Sequence, residues 1–463
     1  MTQGRFLTGS TMGHVVRMTA TGAMGITFVF LVDAANLLWI SQLGDATLVA
    51  AIGFAFAVQF FSVSSGVGLM IAATALVSRS IGAGQRDAAR EQAGAAIIIA
   101  ATIQGLVATL VVLLRHDLIA LAGATGETAA LAARYLAFTM PSLVFMAVGM
   151  IASGVLRADG FGAKAMYVTL LSGSLLMVID PILILGLGLG LDGAAIGLFS
   201  FRIALMGLGL YFAAHQHGLI ALPSRSRLAR VLRPYMLVAL PAIATQMATP
   251  AGNYFLTIVM APFGDDAVAA WAVVGRLTVV AFGGVFALSG AVGGIFGQNF
   301  GAGQYDRLRS TYRDALIFCL AYTMATWGVL FLATPYVIAA FGLTGQGAEV
   351  LYAFSTIGVG GFIFIGALFV SNAAFNNLGR PGRSTLVNWT KDGVLSWPAA
   401  AFLATIYGAP GVIYGQAAAS ALVGLLSALW GWHFVRGLRA DAPDPLDLPA
   451  ARPYPNPDRY RRD

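Results

Sequence analysis

Few side chains in this sequence could do chemistry, and the candidates sit in apolar surroundings. Asp33 and Asn36 lie three apart in a run with no other charge between Arg17 and Asp45. That spacing puts both on one helix face, where the amide could hydrogen-bond one protonation state of the acid. Asp180 precedes Pro181 near the end of another apolar run. An ionised carboxylate in hydrocarbon costs about 2.5–3.5 kcal/mol on insertion scales, so such a group persists where it faces a cavity or takes up a proton. Reversible protonation at Asp33 and Asp180, with Asn36 beside them, is the chemistry on offer. Two structural readings stand next to it. Asp33 could be an acid in a water-filled funnel with no coupling role, and Asp180 before proline fits a helix N-cap.

The remaining charges in apolar runs are Arg202, Arg276 and the adjacent Lys391 and Asp392. Arg202 could partner Asp180 or Asp33. Lys391 and Asp392 read as an internal ion pair of structural type. Arg276 could steady an outer gate or snorkel to the lipid interface. Gln59, Gln246, Asn253, Asn372 and Asn376 are candidates for lining a substrate cavity, with Arg276. The five His show no metal-ligand spacing, and lone Cys319 excludes an intrachain disulfide or a cysteine-based metal site. No acid cluster suited to Mg²⁺ at a membrane face occurs, which argues against a prenyl-transfer enzyme. No enzyme activity, metal or cofactor is expected.

These residues need elements to hold them. The chain has 463 residues, 58% hydrophobic and 10% charged, with mean hydropathy +0.80. Soluble domains carry about 25% charged residues, so lipid is the solvent here. Apolar runs of about 20 residues cross a bilayer as helices. Twelve are expected, over 14–42, 48–79, 92–114, 130–153, 164–187, 193–214, 234–262, 267–298, 310–335, 349–375, 385–407 and 411–435. Asp33 then lies ~15 Å below the outer end of its span. The fold class is an all-α membrane protein of two six-helix lobes, 1–214 and 234–436. A linker at 215–233 joins them, and a polar, proline-rich tail at 437–463 is expected to be disordered. No cleavable signal is expected.

With both termini in the cytoplasm, 22 of the 27 Lys and Arg residues fall inside, Arg115 and Arg134 fall outside, and Arg202, Arg276 and Lys391 remain within spans. This skew sets orientation in the plasma membrane. It accounts for the net charge of +7 without a nucleic-acid partner.

The halves repeat. Ile81-Gly-Ala-Gly-Gln-Arg-Asp returns as Phe300-Gly-Ala-Gly-Gln-Tyr-Asp, and Gly160 matches Gly379 at the same offset. Leu43-Gly-Asp45 answers Phe263-Gly-Asp265, and Asp192-Gly193 with Gly197 answers Pro410-Gly411 with Gly415. Gly82, Gly84, Gly301 and Gly303 are expected to turn the chain with positive φ. Two six-span halves in parallel are one transporter design, with the substrate path between them.

Gly297-Gln-Asn-Phe-Gly-Ala-Gly303, Leu156-Arg-Ala-Asp-Gly160, Ile179-Asp-Pro181 and Trp39-Ile-Ser-Gln-Leu-Gly44 resemble the multidrug and toxic compound extrusion family, closest to its DinF-type branch. The resemblance runs from about residue 14 to 436. It implies a V-shaped pair of lobes and antiport of a drug-like cation or amphiphile against H⁺ or Na⁺. It also implies an ionisable role for Asp180. This chain departs from the family pattern in several places. Asn36 stands where the family has an acid, Met177 and Leu198 replace oxygen-bearing residues, and Thr21 replaces a proline that bends the first span. Fewer oxygens favour H⁺ over Na⁺, with coupling confined to the first lobe. A lipid-linked oligosaccharide flippase on the same plan is the alternative. A monomer in lipid, carrying a small-molecule substrate, is expected.

Overall fold

Backbone groups facing lipid must be satisfied within their own segment, and this chain meets that demand with helices. The structure, a computed structural model, describes residues 4–439, and no strand occurs among them. In chain order the membrane helices are α1 (Thr11–Ser41), α2 (Thr47–Gly82), α3 (Arg86–Leu113), α4 (Gly126–Ala158), α5 (Gly162–Gly186) and α6 (Gly190–Gln216). Then come α7 (Arg225–Phe263), α8 (Asp265–Ala281 and Gly283–Gly301), α9 (Tyr305–Phe341), α10 (Gly345–Asn377), α11 and α12 (Ala409–Gly437). Helix α11 runs Pro381–Asn388, Trp389–Leu395 and Ser396–Tyr407 end to end. Its polar middle, with Lys391 and Asp392, makes it the least hydrophobic of the twelve.

Among the described residues, ten of the twelve expected spans, or eleven with the bent α8, are helices long and apolar enough to cross a membrane, with shifted ends; α11, broken into three short segments, is not. Helix α7 starts at Arg225, capped by Ser224 Oγ, which accepts from Arg227 N at 3.4 Å. The expected linker therefore shrinks to 217–224, because 225–233 are already helical. Helix α8 bends by 45° at Phe282. Gly283 and Gly284 weaken the helix there, and the Tyr322 hydroxyl donates to the Ala281 carbonyl at 2.8 Å, satisfying a group the break exposes. Helix α1 is unbroken, and the Thr21 hydroxyl bonds back to the Met18 carbonyl at 3.0 Å. The expected polar tail beyond 439 lies outside the described residues.

The lobes, α1–α6 and α7–α12, meet through α1 against α8 and α9, and through α2 against α7 and α8. Their closest approach is at the repeated turns. A Cβ on Gly82 would lie 2.0 Å from the Gln298 carbonyl oxygen, and one on Gly301 would lie 2.0 Å from the Arg79 carbonyl oxygen. This corrects the reading of these glycines. Only Gly84 and Gly303 take positive φ, at 74° and 69°. Gly82 and Gly301 are needed because backbone meets backbone across the lobes. At the opposite end the lobes have separate cores. Ile40, Ile119, Leu136 and Ile184 cluster in the first lobe, and Leu256, Met260, Ala267 and Val412 in the second. The molecule is a V closed at the Gly-Ala-Gly-Gln end.

Candidate functional site

Proline has no N–H to give the carbonyl four residues back. After Pro181 the helix loosens into a π-turn over Ile182–Gly186, so α5 runs straight through Asp180. The N-cap reading of Asp180 therefore does not hold. Its carboxylate is buried, at 1% exposure. Oδ2 accepts from Asn36 Nδ2 at 2.5 Å. Oδ1 has no hydrogen-bond partner among the described residues and lies against Gly197 of α6, 1.9 Å from where a Cβ would be. A buried polar atom without a partner costs roughly 1–3 kcal/mol. A proton on Oδ1 would remove the charge that makes this placement expensive.

Asn36 is thus held by Asp180, across α1 and α5, and not by Asp33 on its own helix. Asp33 is exposed and has no side-chain hydrogen bond among the described residues. Arg202 of α6 is buried and donates to the Thr139 carbonyl at 2.8 Å and to Ser142 Oγ at 2.9 Å. It forms no ion pair with either acid, yet its charge reaches Asp33. Tyr135 lies within electrostatic range of Arg202, Asp180 and Asp33 together. Asn36 thus bonds directly to Asp180, Asp33 precedes Asn36 by three residues on α1, and Tyr135 and Arg202 of the same lobe stand nearby. Sequence reasoning missed Tyr135, Thr139 and Ser142, which carry no special spacing. The repeated Gly197 was visible, but its role against Asp180 was not.

The expected cavity-lining residues divide. Gln59 is buried and donates to Thr139 Oγ1 at 2.7 Å, inside the first lobe. Asn372 is buried and accepts from Asn388 Nδ2 at 3.0 Å, and Asn376 is buried with its Oδ1 unpartnered among the described residues. These three are inside a lobe, because helix packing turned their faces inward. Gln246 is half-buried, and Asn253 and Arg276 are exposed.

In the second lobe Lys391 and Asp392 form a buried ion pair, and Thr249 of α7 donates to Asp392 Oδ2 at 3.3 Å. In α12, Gly415 meets the backbone of Ala399 and Ala400 of α11, whereas Gly197 of α6 meets the Asp180 carboxylate.

The closed end is latched by residues 4–9. Phe6 is 2% exposed, and its N–H donates to Gln298 Oε1 at 3.0 Å. Gln298 Nε2 donates in turn to the Ala158 carbonyl of the first lobe at 2.6 Å. Arg307 of α9 donates to the Phe6 carbonyl at 2.8 Å and to the Gly9 carbonyl at 2.9 Å.

Two duplicated six-helix lobes forming a V are the architecture of a class of multi-pass membrane transporters. The MatE family model matches residues 23–182 and 241–402, and the chain belongs to that family, the multidrug and toxic compound extrusion transporters. It is a transporter and not an enzyme. The chain is 25% identical over 449 residues to a FAD transporter of Shewanella oneidensis, covering 95% of this chain and 99% of that one. It is 24% identical over 404 residues to the multidrug export protein MepA of Staphylococcus aureus, covering 85% and 87%. Among solved structures, a MOP superfamily transporter from Pyrococcus furiosus superposes with TM-score 0.86 at 21% identity, covering 94% of this chain and 98% of that one. The Vibrio cholerae MATE transporter VcmN, as a bent form, gives TM-score 0.84 at 25% identity, covering 92% and 97%.

Proposed function

We propose that this chain is an antiporter of the bacterial inner membrane that exports cationic or amphiphilic small molecules in exchange for H⁺. Both termini and the closed end of the V lie in the cytoplasm, as the arginine distribution requires. The observation that carries the reading is Asp180: buried, bonded through one oxygen to Asn36, and left with its other oxygen against bare Gly197. Na⁺ would need several oxygens to replace its water. Met177 and Leu198 supply none, and the Asn36 group that meets Asp180 is a donor. A proton needs one basic oxygen. In the outward-open V, protonation of the Asp33–Asp180 cluster favours release of substrate outside. Loss of the proton to the cytoplasm then resets the lobe for uptake. The protein works as a monomer.

A flavin dinucleotide or similar anion is the second reading, favoured by the likeness to the Shewanella oneidensis FAD transporter over nearly the whole chain. Proteoliposomes with an imposed pH gradient, with and without Na⁺, test both. Efflux of a cationic dye that follows the pH gradient and ignores Na⁺ supports the first reading. Movement of FAD but no dye supports the second. Dependence on Na⁺ alone overturns H⁺ coupling.

A further inference from the structure

Where α7 meets the start of α11, a cavity of about 440 Å³ opens, lined by Leu237, Pro241, Arg380, Gly382 and Arg383 among others. Its charge is all of one sign. Arg380 is exposed, and neither it nor Arg383 has a carboxylate within ion-pair distance among the described residues. The two guanidinium groups are close enough to act on one another electrostatically. Like charges held together without an acid are unfavourable unless something anionic neutralises them.

Arg383 is moreover held in place. Its guanidinium lies over Trp430 and Phe434 at 4.8 Å each and over Phe375 at 5.7 Å. Aromatic faces stabilise a cation without cancelling its charge. Helix α11 begins at Pro381, so its positive dipole end adds to the same place. Arg233, four residues before Leu237 and so on the same face of α7, is exposed and unpaired among the described residues.

The surroundings are apolar. Leu237 and Leu240 of α7, with Leu386 and Trp389 of α11, are all exposed. Arginines above an apolar groove, on the side of the membrane that holds the repeated turns, match one molecule in shape and charge. We propose that this cavity binds an anionic phospholipid of that leaflet, its phosphate held by Arg380 and Arg383 and its acyl chains lying along Leu237, Leu240, Leu386 and Trp389. Basic pockets between membrane helices on the cytoplasmic side take anionic headgroups in this way. The site is independent of the Asp33–Asp180 cluster, which is in the other lobe.

The test uses the full chain, delipidated in neutral detergent, with phosphatidylglycerol, phosphatidylcholine and inorganic phosphate as separate probes. Native mass spectrometry and thermal shift are the readouts. Phosphatidylglycerol should be retained and raise Tm, whereas phosphatidylcholine and inorganic phosphate should do neither. Arg380→Gln should weaken phosphatidylglycerol binding about fivefold, from the effect of one surface charge, and Arg383→Gln at least as much. Arg115→Gln, at the opposite face, should leave it unchanged. Equal retention by wild type and Arg380→Gln overturns the proposal, and because Arg380 is exposed that variant folds even where Arg383→Gln does not. An equal Tm rise with inorganic phosphate alone also overturns it, in favour of a soluble anion.

Discussion

Asp180 Oδ1 lies 1.9 Å from where a Cβ on Gly197 would be, so a carboxylate fills this α5–α6 contact, whereas Gly415 in the second lobe meets the backbone of Ala400. Of these two glycine contacts, only the one in the first lobe carries an acid. Coupling that depends on this acid should disappear with it. A proton crossing 100 mV gains about 2.3 kcal/mol, so Asp180→Asn should cut pH-driven dye accumulation by about tenfold or more. Asp33→Asn should do the same by removing the exposed partner acid. Efflux assays in energised vesicles measure both, and unchanged accumulation in both variants would falsify the coupling site.

Gly197→Ala places a methyl group where Asp180 Oδ1 now lies. The carboxylate must move and lose its bond from Asn36. Overpacking of this kind costs roughly 1–3 kcal/mol. The variant should have a lower Tm and impaired transport. Gly207→Ala, on the same helix with open space around it, should leave both near wild type.

The closed end should be tunable through one side chain. Gln298 joins the Phe6 N–H to the Ala158 carbonyl. Each such bond contributes about 0.5–1.5 kcal/mol net, so Gln298→Ala should shift the balance away from the present V by up to about a hundredfold. Spin-label distances between the closed-end termini of α2 and α8, near Gly82 and Gly301, should lengthen. Unchanged distances under the same conditions would show that the lobes are held together elsewhere.

His217 gives a pH-dependent prediction. It stacks on Phe161 at 3.8 Å, and Arg5 lies over that same ring at 3.8 Å. Burial, then the charges of Lys164 and Arg5, lower its pKa from the ordinary 6.5, against a smaller opposing effect of Asp159. The unfolded chain therefore binds this proton more tightly than the folded one. The contribution is complete above about pH 6.5 and is lost as pH falls through the lower, folded value. Melting curves should show wild-type Tm dropping on acidification more than that of His217→Gln. Parallel curves would remove His217 from the account.

Breaking the Lys391–Asp392 pair should be costly. Removal of one member of a buried ion pair leaves a bare charge and costs about 3–5 kcal/mol. Lys391→Met should destabilise strongly, and Lys391→Met with Asp392→Leu should recover much of the loss. Transport by the double variant should retain its dependence on the pH gradient. If that dependence vanished, the second lobe would share in coupling.

Most of the expected spans, the duplication and both acids were legible in the sequence, because apolar length and repeated glycine pairs are written in residue types. The partners were not. Asn36 is three residues from Asp33, yet its bond crosses to α5, and only the packing of α1 on α5 decides that. Gln59, Asn372 and Asn376 look like cavity residues by polarity, but their helix faces turn inward. Gly82 and Gly301 look like turn glycines, and their real requirement comes from a carbonyl in the other lobe.

The latch at residues 4–9 has a bearing on assembly. Phe6 bonds to a side chain 292 residues further along, so it has no seat until α8 and α9 are inserted. This segment is made early and settles late. A chain halted before Arg307 should leave residues 4–9 sensitive to protease, and the finished protein should protect them.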